Sequence, residues 1–302
     1  MLTSSTGRLR PIWSFLLSVA FSLAAFVACS FIAALFTDEH VLRFEAIFRP
    51  LLSLVLFGIY FWLLTVADHA EAERVAALGF PIVRGWGRQL AAGCVLGLVL
   101  TSLAVIPVAI WADVSLDIRV TSRAITRVGV VLIVLVFGAL AEEMMFRGYP
   151  FQRLEEAIGP VAAIAVFSVL FALMHLSNPG ASPLGLLNTV LIGVVLAIAY
   201  LRTRALWLSS GIHFGWNATL GLLFGLPVSG LRIFNVVVHG STNGPRWLTG
   251  GAYGVEASLP GVFAVIIGLL IVWKWPVTRL GKLLTFSRPE AEHLDNIAGI
   301  QS

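Results

Sequence analysis

Long apolar stretches alternating with short polar ones set the pattern of this chain. The apolar stretches are Ile12–Phe36, Pro50–Val66, Leu90–Ala112, Val128–Leu154, Gly159–Leu176, Leu184–Leu201, Leu206–Phe224 and Leu259–Trp275. A helix needs roughly 20 apolar residues to cross the hydrocarbon core. The pattern therefore predicts an all-α, polytopic membrane bundle of about eight transmembrane helices. Between the last two stretches, "GLPVSGLRIFNVVVHGSTNGPRWLTGGAYGVEAS" is rich in Gly, Ser and Asn and predicts the largest exposed loop. No internal repeat is visible.

Composition sharpens this reading. Of 302 residues, 58% are hydrophobic and 12% charged, against about 25% charged in a soluble domain. Mean hydropathy is +0.93. The net charge of +4 comes from Arg scattered through short loops, which argues against nucleic acid as a partner and for a role in membrane orientation. Thirteen of the twenty Lys and Arg fall on the side that holds both termini, so the positive-inside rule puts both termini in the cytoplasm. The bilayer is the implied environment, and the cell (plasma) membrane the expected location. Cys29 and Cys94 sit in apolar runs and give no disulfide framework.

Against that background a few polar side chains stand out. "AEEMMFRGY" places Glu142, Glu143 and Arg147 at the end of an apolar run. A charge at bilayer depth costs about 2.5 to 3.5 kcal/mol on insertion scales. On a helix Glu143 and Arg147 are four apart and can pair, whereas Glu142 points about 100° away and is left for another role. "FALMH" sets Phe171 one turn before His175, and "HFGWN" sets His213 and Asn217 on one helix face. Asn188 reads as a tether between helices. Glu155 and Glu156 read as facing the headgroups. His40, His69, His239 and His293 fall in loops or the tail, with nothing to pair them with a site.

Each polar residue alone has a structural explanation. Together they are most cheaply accommodated in one hydrated cavity. Such a set can activate a water, the carboxylate taking the proton while imidazole and amide groups stabilise an oxyanion. Alternatively, Glu142, His175 and His213 are candidate ligands for a divalent metal such as zinc. Depth adds a condition. Glu142 and His175 meet only where the fourth helix runs on through Leu154 or Glu155, with Arg147 inside the cavity. A proton-coupled transporter is disfavoured by the lack of paired broken helices. Neither H-E-x-x-H nor G-x-S-x-G occurs.

The three motifs, in this order and on separate helices, resemble the CPBP family: type II CAAX prenyl endopeptidases and their Abi or bacteriocin-processing relatives. The family pattern E-E-x-x-x-R, F-x-x-x-H, H-x-x-x-N is met by Glu142, Glu143 and Arg147, by Phe171 and His175, and by His213 and Asn217. The resemblance implies an eight-helix bundle with an intramembrane polar cavity open to the cytoplasm, and hydrolysis of a peptide bond in a membrane-associated protein or small peptide. It implies that Glu142 activates the water, His175 assists it, and His213 and Asn217 stabilise the oxyanion. Glu143, Arg147 and Phe171 support them. The resemblance leaves the metal open. It also admits a non-catalytic regulator or immunity protein that binds a peptide in the same cavity. The expected organisation is motif-free membrane helices over 1–126, a catalytic core over 127–276 and a polar cytoplasmic tail over 277–302.

Overall fold

The computed structural model describes residues 9–36, 41–67 and 77–276. The expected tail, and His40, His69 and His293, lie outside them. The helices are α1 (Pro11–Leu35), α2 (Val41–Ala67), α3 (Trp86–Trp111), α4 (Ser122–Arg147), α5 (Tyr149–Ile158), α6 (Pro160–Met174), α7 (Pro183–Thr203), α8 (Leu206–Ala218), α9 (Arg246–Thr249) and α10 (Leu259–Trp273). A π-helical turn, Thr219–Leu223, extends α8. Starts are set by local chemistry. The side chains of Thr121, Ser182 and Ser258 accept backbone N–H bonds at the starts of α4, α7 and α10, satisfying donors that lack helical partners.

The fold is that of a polytopic helical membrane protein. Among the described residues five segments are long and apolar enough to cross a membrane: Pro11–Leu35, Arg43–Val66, Trp86–Trp111, Ser122–Ile158 and Pro183–Thr203. The fifth, seventh and eighth expected spans become helices of 15, 13 and 15 residues. At 1.5 Å per residue these are shorter than a hydrocarbon core of about 30 Å. On α1 the buried face is Ser14, Ser18, Ser22, Ala25, Cys29 and Ala33, while Leu23, Val27, Phe31 and Leu35 are exposed. Small polar groups inside and large apolar ones outside are what a lipid solvent selects. The Ser22 hydroxyl hydrogen-bonds the Tyr60 hydroxyl, tying α1 to α2.

Three expectations are corrected. The second helix starts at Val41, not Pro50, which brings Arg43, Glu45 and Arg49 into it; Arg49 and Glu45 pair one turn apart, so their charges are answered. The fourth span is not one long helix. It breaks at Gly148, because Pro150 has no N–H and its ring disfavours a continuous helix. The expected exposed loop is largely folded inward, with Leu226, Val228, Phe234, Tyr253 and Val255 buried. It also adds a strand, β2 (Val238–Asn243), antiparallel to β1 (Asp113–Ile118), with Asp113 opposite Asn243 and Ile118 opposite Val238. A small two-stranded sheet thus accompanies the helices.

The tightest helix contact is between α3 and α8. A Cβ on Gly93 would lie 2.4 Å from the Leu208 carbonyl, and one on Gly97 2.4 Å from that of Ile212. From the other side, a Cβ on Gly211 would lie 2.3 Å from Leu90 O, and one on Gly215 2.4 Å from Cys94 O. Paired small-xxx-small faces let the two backbones touch, and α8 is the helix that carries His213 and Asn217.

Candidate active site

Glu142 and Glu143 lie on the last turns of α4, Phe171 and His175 at the end of α6, and His213 and Asn217 on α8. Glu142, Phe171, His175, His213 and Asn217 all line one cavity of about 70 Å³. By the volume a water centre needs, about 10 to 15 Å³, it holds several waters.

Glu143 is fully buried. Its Oε1 accepts from Arg147 Nη1 at 3.2 Å and from His213 Nδ1 at 2.9 Å. Arg147 is equally buried, donates to the Gly193 carbonyl at 3.3 Å and lies 4.5 Å over the Phe171 ring. It stands behind the cavity wall, not in its lining. Phe171 in turn packs against both imidazoles, 4.8 Å from His175 and 6.1 Å from His213 between ring centres. Glu143, Arg147 and Phe171 therefore hold the rings that face the cavity.

The hydrogen bonds also fix tautomers. His175 Nδ1 lies 2.7 Å from the Phe171 carbonyl. A carbonyl only accepts, so Nδ1 carries the proton and Nε2 offers a lone pair. His213 donates Nδ1–H to Glu143, and its Nε2 is 3.6 Å from Glu142 Oε2. That separation is too long for a direct hydrogen bond.

Sequence reasoning missed two charged cavity residues. Arg49, from α2, donates to Glu142 Oε1 at 2.5 Å and also pairs with Glu45. Its Cδ sits where a Cβ on Gly138 would be, at 2.9 Å, so the absent side chain on α4 makes room for it. Glu256 comes from the folded-in loop, on the 3-10 turn Val255–Ala257. Its Oε1 accepts from Trp216 Nε1 at 3.0 Å and from Ser229 Oγ at 3.4 Å, and its Oε2 from the Ser229 N–H. Burial lifts this carboxyl to about 7, against the opposing pull of those donors. Asn188 reaches the Glu256 carbonyl at 2.9 Å, so it tethers α7 to this turn and not to another helix. Glu155 is buried and makes a two-point ion pair with Arg204 at 2.8 and 2.9 Å. It does not face headgroups.

Among the described residues no three His, Cys, Asp or Glu come close enough to hold an ion. One oxygen of Glu142 is bonded to the Arg49 guanidinium, which leaves a single oxygen for an ion. The residues present do not fit a metal, and no step below uses one.

Residues 124–219 match the family model of the Rce1-like type II CAAX prenyl endopeptidases. That match, over about a third of the chain, supports a likeness to the CAAX/CPBP intramembrane proteases. No curated protein and no solved structure matches the chain. The Rce1-like match begins in the first turn of α4 and ends one residue past α8. It contains the three motifs, while Arg49 and Glu256 lie outside it.

Proposed function

We propose that this CAAX-type protein is a glutamate-dependent endopeptidase that hydrolyses a peptide bond in a membrane-associated protein or small peptide. The substrate is of the CAAX kind or of the leader and bacteriocin kind. The observation that carries this reading is the meeting of Glu142, His175, His213 and Asn217 in one water-sized cavity. Glu142 Oε1 is occupied by Arg49, so Oε2 is the oxygen that takes the proton from water. The lone pair of His175 Nε2 orients that water. As hydroxide adds to the carbonyl carbon, the oxyanion accepts from a protonated His213 Nε2 and from the Asn217 amide. When the C–N bond breaks, Glu142 returns its proton to the leaving amine. Positioned base catalysis of this kind contributes about 10² to 10⁴ in rate. The cavity mouth and both termini are assigned to the cytoplasmic side of the plasma membrane, on the Lys and Arg distribution.

One observation favours a second reading. The Arg49 ion pair occupies the base, as would suit a non-catalytic regulator that binds a peptide in this cavity. Glu142→Gln keeps the shape and removes the base. Full-length protein in lipid nanodiscs should cleave a membrane-anchored peptide about 10² to 10⁴ times faster than this variant. Equal rates overturn the endopeptidase; tight binding without cleavage by either protein assigns the regulator.

A further inference from the structure

A second concavity, separate from the cavity of Glu142, opens where α2 and α4 begin. It measures about 870 Å³ and is lined by Arg43 from α2, Arg119 from the β1–α4 link, Arg123 and Arg127 from α4, and His239 from β2. No residue lines both. Arg123 and Arg127 are four apart, so they stand on one face of α4, where like charges repel. Among the described residues no Asp or Glu lines the groove. Asp117 answers one cation, pairing with Arg119 at 2.6 Å at the exposed edge. The rest of the wall is hydroxyl, amide and apolar, with Thr121, Thr126, Asn235, Val130 and Ile233 among its members.

Position decides what such a groove suits. The membrane-crossing segments start at Arg43 and Ser122, so the groove sits at the edge of the hydrocarbon, where lipid phosphates lie. Guanidinium groups hold phosphate through paired N–H donors, and basic pockets between membrane helices take anionic headgroups. The volume lies within the range of ligand sites, about 300 to 1,000 Å³. We infer that this four-arginine groove binds the phosphate of an anionic phospholipid headgroup, with the lipid's glycerol and upper chains against its apolar wall. Arg43, Arg119, Arg123 and Arg127 are then kept on this side of the chain as a binding site, which accounts for an orientation bias that is only moderate.

The test uses full-length protein in nanodiscs of dioleoylphosphatidylcholine, alone or mixed equally with dioleoylphosphatidylglycerol. Phenylglyoxal modification of each arginine is followed by mass spectrometry. Arg43, Arg123 and Arg127 should react several-fold more slowly with phosphatidylglycerol present, while Arg246, outside the groove, stays unchanged. Equal rates in the two discs overturn the inference. Protection by inorganic phosphate that matches that by phosphatidylglycerol overturns the lipid assignment. In neutral detergent, R123Q/R127Q should lose about thirtyfold in phosphatidylglycerol affinity, read by native mass spectrometry. Asp38 and Glu39 lie outside the described residues. Phosphatidylglycerol binding that appears only in D38N/E39Q would mean the chain's own acids fill the groove, and the inference falls.

Discussion

Arg49 changes what Glu142 is. An isolated carboxylate in lipid is a liability, whereas this one shares a guanidinium with Glu45 and faces His213. Removing the cation leaves two acids beside the fully buried Glu143. Arg49→Gln should therefore destabilise the protein by about 3 kcal/mol, the lower end of what breaking a buried pair costs, read from unfolding in mixed micelles. Cleavage should fall with it. A variant as stable as the parent would show that the pair carries no net stabilisation. Glu256 makes a different prediction. Its carboxyl titrates at about 7 because burial disfavours the charge. A raised carboxyl contributes stability that is fully present below the ordinary carboxylate range and is lost as pH rises through about 7. Native protein should lose up to about 3 kcal/mol between pH 4.5 and 8 that Glu256→Gln does not lose. Parallel stability curves would contradict this. Spacing in the sequence was enough to pair Glu143 with Arg147, because one helical turn is a local matter. It could not reveal Arg49 or Glu256, which reach the cavity across 93 residues to Glu142 and 40 residues to Trp216.

Helices deliver these side chains, and the α3–α8 contact fixes the one that matters most. A Cβ on Gly211 would lie 2.3 Å from the Leu90 carbonyl, so even a methyl group must separate the backbones. Gly211→Ala should destabilise by about 1 to 3 kcal/mol, as overpacking does, and shift His213 and Asn217 enough to lower cleavage. Gly129→Ala is the matched control: nothing lies within 4 Å of its missing Cβ. It should stabilise α4 by about 0.5 to 1 kcal/mol. Unfolding in mixed micelles compares the two, and equal responses would show that the close approach is not limiting. The break at Gly148 acts at the same scale. It ends α4 at Arg147, whose guanidinium lies on Glu143 one turn back and over the Phe171 ring.

At the scale of the molecule, the cavity draws on α2, α4, the end of α6, α7, α8, α10 and the turn at Val255–Ala257, among others. The apolar rhythm of the chain determined that it is a helical membrane protein, because a lipid solvent forces long apolar helices whatever their neighbours. The four-residue spacings determined which motif residues share a helix face, because helical geometry acts within a few turns. Only the tertiary structure decided that a loop rich in Gly and Ser folds inward to bring Glu256, that α2 starts early enough to bring Arg49, and that four arginines from three elements share one groove. These depend on which faces of distant segments meet, and side-chain packing between segments, not periodicity within one, sets that choice.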